Sequence, residues 1–134
     1  MTVGVPLILV VDDNPWFRDF LDDLLSAEGY RVILAEPGAA LAAALAESPA
    51  LALLDAVMPG HDGPSLCRGL RATPATRALP VLFLTGLPER ALVTQLDGCD
   101  GWTYLRKPCT PDELLDAVRR CLESPGEPLG RAGG

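Results

Sequence analysis

Five polar residues stand at or just beyond the ends of short apolar runs: Asp12, Asp13, Asp55, Thr85 and Lys107. Three carboxylates packed together repel one another unless a cation lies among them. Mg²⁺ prefers carboxylate oxygens and is often shared with a phosphate. A carboxylate can also be a nucleophile that forms an acyl phosphate, and a lysine and a hydroxyl can stabilise the transferred group. The residue types therefore indicate phosphoryl transfer to an aspartate.

These side chains can meet only if the elements that carry them converge. Apolar runs and amphipathic segments alternate five times along the chain. The runs predict strands over 6–11, 31–35, 51–54, 80–84 and 102–105. The segments between and after them predict helices over 15–28, 38–47, 64–72, 88–96 and 111–123, with a loop over 59–63.

Strict alternation of strand and helix predicts an α/β fold with an open parallel sheet and helices on both faces. For five such units we expect the doubly wound, flavodoxin-like (βα)5 arrangement with strand order 2-1-3-4-5. Ligands of such sheets bind beyond the carboxyl ends of the strands. Because strands one, three, four and five are neighbours in this order, the five polar residues should share one rim.

Two local sequence patterns predict where helices begin. Asn14 before Pro15 is typical of an N-cap followed by a first helical turn. Thr110 and Glu113 form the pattern of a capping box that opens the last helix. We predict one domain over 1–123 and, from the Gly and Pro content, a disordered tail over 124–134.

Composition excludes several classes of protein. The formal net charge of -7 argues against a nucleic-acid partner, which normally requires a basic patch. No apolar run reaches the roughly 18 to 20 residues that span a bilayer. The first residues lack the pattern of a signal peptide, so we expect a cytoplasmic protein with no membrane partner. The cysteines have no C-x-x-C spacing and are expected to be free thiols; they are Cys67, Cys99, Cys109 and Cys121.

The motifs, taken in their order along the chain, resemble those of one known family, the response-regulator receiver domains of bacterial two-component signalling. The resemblance covers about 6–122. The matching residues are Asp12-Asp13, Asp55, Met58-Pro59-Gly60, Asp62-Gly63, Thr85-Gly86 and Lys107-Pro108.

The resemblance implies that Asp55 is the phosphoacceptor, supplied by a histidine kinase or a histidine phosphotransfer protein. It implies Mg²⁺ (or Mn²⁺) bound directly by Asp13, with Asp12 acting through a water. Asp55 and the backbone carbonyl of Val57 complete that ligand set. Lys107 would contact the phosphoryl group, with a cis peptide bond before Pro108.

The resemblance also implies a conformational switch. Thr85 would swing its hydroxyl toward the phosphoryl group, and Tyr104 would occupy the aromatic switch position. Together they would alter the face of the fourth helix, fifth strand and fifth helix for an unidentified downstream partner. The protein would be a monomer or a phosphorylation-dependent dimer. It would not be an enzyme beyond self-phosphorylation and slow autodephosphorylation at Asp55.

The chain departs from the family pattern at several positions. Asp100-Gly101-Trp102-Thr103 stands where the family has a Gly-Ala-Asp type of run, and Cys109 stands where Phe is commoner. Val57 and Leu87, two residues after Asp55 and Thr85, are both apolar. Neither side chain can orient an attacking water by hydrogen bonding, so we expect slow hydrolysis of the Asp55 phosphate.

Other interpretations stay open at this point. The same fold could serve as a pseudo-receiver, a docking module that works without phosphorylation. A hydrolase that forms an aspartyl phosphate is disfavoured, since Val57 stands where such enzymes need a second Asp. Taken singly, Thr85 could be a buried hydroxyl, Lys107 a surface lysine, and Tyr104 a core residue. Trp102 could be core packing or part of a partner surface, and His61 is expected to be exposed.

Overall fold

The structure is a computed structural model that describes residues 4–58 and 60–123, and only the backbone of His61. The predicted tail over 124–134 and the predicted exposure of the His61 side chain therefore lie outside the described residues. The sheet strands are β1 (Leu7–Val11), β2 (Arg31–Ala35), β3 (Leu51–Leu54), β4 (Val81–Thr85) and β5 (Trp102–Arg106). The helices are α1 (Pro15–Ala27), α2 (Ala40–Glu47), α3 (Gly63–Ala72), α4 (Glu89–Gln95) and α5 (Pro111–Glu123).

All five sheet strands are parallel and stand in the order β2-β1-β3-β4-β5. This order confirms the predicted flavodoxin-like topology. From β1 the chain adds β2 on one side and β3, β4 and β5 on the other, so the strand order reverses between β1 and β3. The carboxyl ends of β1 and β3 are therefore neighbours at the point where ligands bind in such sheets. The register pairs Val11 with Leu54, so the next residues of both strands, Asp12 and Asp55, lie at one rim.

The central strands are buried on both faces because helices cover both sides of the sheet. On one face, inward residues of β1, β3 and β4 pack with α1 and α5; they include Ile8, Val10, Leu53, Leu82, Leu21, Leu25, Leu114 and Val118. On the other face the alternate residues pack with α2, α3 and α4; they include Leu9, Val11, Ala52, Phe83, Ala44, Leu70 and Leu92. The period of two along each strand explains why these runs are apolar throughout.

Both predicted helix starts are present. The Asn14 side chain accepts hydrogen bonds from the N–H groups of Trp16 (3.0 Å) and Phe17 (3.3 Å). Thr110 and Glu113 exchange side-chain to backbone hydrogen bonds of 2.7 and 3.1 Å, as in a capping box. Each arrangement satisfies amide donors that a helix start leaves without a partner in the helix.

Several elements begin or end one or two residues away from the predicted position. Helix α2 begins at Ala40, after a 3₁₀ turn over Pro37–Ala39, whereas the prediction began at residue 38. Helix α4 begins at Glu89 because Pro88 is its extended N-cap residue. The predicted loop over 59–63 contains a short strand, since His61–Asp62 pairs antiparallel with Val57–Met58. Gly60, with φ of 72°, supplies the left-handed conformation between these two short strands.

Among the described residues, no helix combines the length and apolar character needed to cross a membrane.

Candidate functional site

Three carboxylates meet at the carboxyl edge of the sheet. Asp12, Asp13 and Asp55 each offer one oxygen, and these oxygens lie within 4.8 Å of one another. Asp12 is buried, Asp55 is half-buried and Asp13 is exposed. An all-oxygen, acidic set that opens to solvent on one side fits a hard divalent cation that keeps part of its water shell. The predicted metal-binding aspartates are therefore together.

Asp12 is the most buried of the three carboxylates, with only 4% of its surface exposed. One carboxylate oxygen accepts a hydrogen bond from the Asn14 N–H at 2.8 Å. Burial raises the pKa of Asp12, while this hydrogen bond and the charge of Lys107 oppose the rise. The negative charge of Asp12 is thus held at a cost that a nearby cation would reduce.

The two carboxylate oxygens of Asp55 have different partners: one accepts a hydrogen bond, and the other lies near a lysine. Oδ1 accepts a hydrogen bond from the Val57 N–H at 3.1 Å, and Oδ2 lies 3.9 Å from Lys107 Nζ. Its backbone is anchored from β1, because the Asp55 N–H donates to the Val11 carbonyl at 3.2 Å. The side chain is 15% exposed, which leaves a narrow approach from solvent.

Lys107 joins the two less exposed carboxylates. Its Nζ lies 3.9 Å from Asp12 Oδ2 as well as from Asp55 Oδ2. The backbone N–H of Lys107 donates to the backbone carbonyl of Thr85 at 2.8 Å, which connects the residue after β5 to the end of β4. The peptide bond between Lys107 and Pro108 is cis, as the sequence resemblance implied.

An aromatic ring that the sequence did not single out completes the surroundings of Lys107. Its Nζ lies 4.2 Å from the centroid of the Phe17 ring, in cation–π geometry. In the sequence, Phe17 is one of several apolar residues in the predicted helix 15–28, and nothing marks it as part of the site. Only the packing of α1 near the end of β5 brings this ring to the Lys107 ammonium group.

Thr85 and Tyr104 lie near the rim but are not engaged with Asp55 in the contacts of this structure. Thr85 is buried, and its hydroxyl accepts a hydrogen bond from the Leu87 N–H at 3.2 Å. Tyr104 is half-buried and packs against the cluster that includes Phe83, its register partner. By the period of two, both side chains point to the sheet face covered by α4.

Trp102 is a packing residue. Only 6% of its surface is exposed, and its ring meets Phe83 edge-on at a centroid distance of 6.1 Å. Its indole N–H donates to the Cys99 carbonyl at 3.0 Å. Of the two interpretations left open by the sequence, the structure favours the core over a partner surface.

Comparison with known proteins agrees with this geometry. The family model "Response regulator receiver domain" matches residues 8–119. The transcriptional regulatory protein GltR of Pseudomonas aeruginosa is 39% identical over 118 residues, which cover 86% of this chain and 48% of GltR. The response regulator PleD of Caulobacter vibrioides is 39% identical over 115 residues, 84% of this chain and 25% of PleD. The chain thus spans about half or less of these relatives.

Solved structures show the same fold. The chemotaxis response regulator CheY4 of Vibrio cholerae superposes with a TM-score of 0.76 at 30% identity, over 87% of this chain and 98% of that one. The receiver domain of a sensor histidine kinase from Pseudomonas aeruginosa, solved with magnesium in its active-site cleft, gives a TM-score of 0.80 at 28% identity, over 90% and 100%. The chain therefore belongs to the response-regulator receiver domain family.

Proposed function

We propose that this receiver domain, taken over 1–123, accepts a phosphoryl group on Asp55 in the cytoplasm. The donor would be a phosphohistidine of a histidine kinase or a histidine phosphotransfer protein. The observation that carries the proposal is the position of Asp55 Oδ2, 3.9 Å from Lys107 Nζ and beside the Asp12 and Asp13 carboxylates. A nucleophilic oxygen, an ammonium group and an acidic cation site are the parts that such a transfer requires.

Asp12, Asp13, Asp55 and the Val57 backbone carbonyl would hold Mg²⁺ or Mn²⁺. When bound, the ion supplies positive charge that offsets the clustered carboxylates and the phosphoryl oxygens. The burial of Asp12 supports this assignment, since its charge is poorly solvated in the protein alone. We propose that Asp13 binds the ion directly and that Asp12 acts through a water.

In the proposed transfer, Asp55 Oδ2 forms the new bond to phosphorus. The phosphorus–nitrogen bond of the donor breaks, and its electron pair returns to the imidazole nitrogen. Lys107 stays beside the oxygens that carry the negative charge and stabilises them, as preorganised donors do in phosphoryl transfer. Phe17 would hold the Lys107 ammonium in place.

The switch would follow from the new charge on Asp55. The Thr85 hydroxyl would give up its bond with the Leu87 N–H and turn to the phosphoryl group. Tyr104 lies on the same sheet face and would move into the space that Thr85 leaves. We propose that the face of α4, β5 and α5 then changes its affinity for a downstream protein or for a second copy of this chain.

The experiment that tests the proposed function is incubation with Mg²⁺ and acetyl phosphate, followed by intact-mass measurement. We expect a mass gain of one phosphoryl group that requires Mg²⁺ and does not occur when EDTA is added before acetyl phosphate. Beryllium fluoride should change the fluorescence of Trp16, which is 84% exposed and whose backbone N–H donates to the Asn14 side-chain oxygen near the rim. If neither reagent produces a change, the pseudo-receiver function replaces this proposal.

Replacing Phe17 by Leu should slow phosphorylation by acetyl phosphate about 2- to 10-fold, the range expected for loss of one cation–π contact. Phe17→Tyr keeps the ring and should retain the wild-type rate. Trp16→Leu changes the preceding, exposed aromatic and serves as the matched control. Equal rates for Phe17→Leu and wild type, at unchanged Tm, would contradict the positioning role.

The phosphoryl group should be long-lived, with autodephosphorylation on a scale of minutes or longer. The residues two positions after Asp55 and Thr85 are both apolar: Val57 is 59% exposed, and Leu87 is half-buried. The double variant Val57→Asn, Leu87→Gln places a polar side chain at both positions. It should shorten the half-life of the phosphoryl group about 10-fold or more, because a side chain that positions the attacking water accelerates such hydrolysis. The half-life is measured by the decay of the phosphorylated mass.

Val5→Asn is the control for this pair, because Val5 is 48% exposed and precedes β1, away from the carboxyl ends of the strands. A wild-type half-life of seconds that the polar pair leaves unchanged would refute the link between Val57, Leu87 and lifetime.

A further inference from the structure

Two cysteine thiols from distant parts of the chain are in contact. Cys67 Sγ on α3 lies 3.5 Å from Cys99 Sγ, which belongs to the segment 96–101 between α4 and β5. Cys67 is completely buried and Cys99 is half-buried. By contrast, the buried Cys121 contacts the Thr103 hydroxyl at 3.3 Å. The sequence spacing of these cysteines gave no hint of a pair.

The segment that carries Cys99 is already held against α3 by two arginines. Arg71 donates to the carbonyl oxygens of Asp100 (2.8 Å) and Gly101 (2.9 Å), and Arg68 donates to that of Gln95. Gly101 has φ of 74°, and a Cβ there would come within 2.8 Å of the Arg71 guanidinium. The backbone therefore fits these arginines closely, which holds Cys99 opposite Cys67.

We propose that Cys67 and Cys99 form a reversible disulfide that fastens the 96–101 segment to α3. A disulfide has a sulfur–sulfur distance of about 2.05 Å, so the two sulfurs need to approach by roughly 1.5 Å. Side-chain rotation and a small shift of an exposed segment can supply that movement. The two cysteines are the site of modification. The oxidant is a hydroperoxide, which reaches the half-buried Cys99.

The chemistry assigns different parts to the two thiols. Burial and the neighbouring Cys99 raise the pKa of the Cys67 thiol to about 12, so Cys67 stays protonated and shielded. The Cys99 sulfur attacks the peroxide oxygen, the oxygen–oxygen bond breaks, and Cys99 becomes a sulfenic acid with release of one water from hydrogen peroxide. The Cys67 sulfur then attacks the Cys99 sulfur. The sulfenic hydroxyl leaves with the Cys67 proton as a second water, so both thiols are oxidised as one peroxide is reduced.

A consequence for signalling rests on the proposed function. Cys99 lies between α4 and β5, two elements of the face that phosphorylation is proposed to change. A covalent link from this segment to α3 would restrain α4 and so hold that face in its unphosphorylated arrangement. Oxidation would then weaken the output without touching Asp55. The disulfide itself does not depend on this consequence.

The test uses the full chain with Cys109→Ser and Cys121→Ser, which leaves only the proposed pair, treated with stoichiometric hydrogen peroxide. We expect loss of both titratable thiols, an intact mass lower by two hydrogens, and recovery by dithiothreitol. Closing a chain loop between residues 32 apart should also raise Tm by roughly 10 °C. Adding Cys99→Ser is the matched control and should prevent all of these changes.

A second measurement covers the case in which Cys121→Ser, at a buried position, unfolds the protein. Peptide mapping of the oxidised wild-type chain should then give one crosslinked peptide that joins Cys67 to Cys99. Stable sulfinic acid at Cys99, or crosslinks only between molecules, would overturn the proposal. Repeating the oxidation on Asp55→Asn without Mg²⁺ should give the same disulfide, which separates this inference from the proposed phosphorylation.

Discussion

Asp55→Asn is expected to reduce phosphoryl uptake from acetyl phosphate to background while the protein stays folded. A carboxamide is a poor nucleophile and does not form the acyl phosphate that the carboxylate forms. Asn is nearly isosteric with Asp, so the hydrogen bond from the Val57 N–H to the side-chain oxygen can persist. Removing one negative charge from the cluster also lowers the repulsion among Asp12, Asp13 and Asp55. We therefore expect Tm in the absence of Mg²⁺ to be unchanged or slightly higher.

The measurement is intact mass after incubation with Mg²⁺ and acetyl phosphate, with the modified peptide located by fragmentation. Asp23→Asn makes the same chemical change on the exposed side of α1 and should leave uptake at the wild-type level. Phosphorylation of Asp55→Asn at the wild-type rate, for instance on Asp13, would show that the acceptor has been misassigned. Absence of uptake in wild type and variant alike would instead support the pseudo-receiver.

The sheet and its order were predictable because burial on both faces leaves a strong mark in the sequence. Runs such as Ile8–Val11 are apolar without interruption, and such runs occur in strands covered by helices on both sides. Once the alternation with helices was recognised, few topologies remained. The positions of Asp12, Asp55 and Lys107 at one rim followed from that topology, because each closely follows a strand.

Contacts between helices and loops were not predictable in the same way. Phe17 has the same apolar character as its neighbours on α1, and only tertiary packing places its ring under Lys107. Cys67 and Cys99 come into contact through the packing of α3 against the segment before β5, which no local pattern encodes. The short pairing of Val57–Met58 with His61–Asp62 was missed because each strand is too short for a periodic signal.

Gly63 shows how a residue without a side chain can determine the shape of the site. It begins α3 and packs against the backbone that carries Asp55, with its N–H donating to the Ala56 carbonyl at 3.1 Å. A Cβ at this position would lie 2.7 Å from a ring carbon of Phe83 and 2.9 Å from the Ala56 Cα, and closer still to the Asp55 carbonyl oxygen. Two of these three neighbours are backbone atoms, which cannot rotate away.

Gly63→Ala is therefore expected to destabilise the domain by about 3 kcal/mol, the upper part of the range for overpacked positions. In a domain of this size that corresponds to a fall in Tm of roughly 10 °C. Because the inserted methyl would push against the Asp55 backbone, the folded fraction should also accept phosphate more slowly than wild type. Denaturant unfolding gives the first quantity, and phosphorylation well below Tm gives the second.

Gly69→Ala provides the matched control on the same helix. A Cβ at residue 69 would have its nearest neighbour, a Leu41 methyl carbon, at 3.9 Å, which is an ordinary contact distance. Alanine in a helix interior is favoured over glycine by roughly 0.5 to 1 kcal/mol, so this variant should be more stable than wild type. The same Gly to Ala change is thus expected to lower the stability of the domain at residue 63 and to raise it at residue 69. Only the methyl group at residue 63 would meet the backbone of Asp55 and Ala56. A Gly63→Ala variant as stable as Gly69→Ala would show that α3 can move away from Asp55 at little cost.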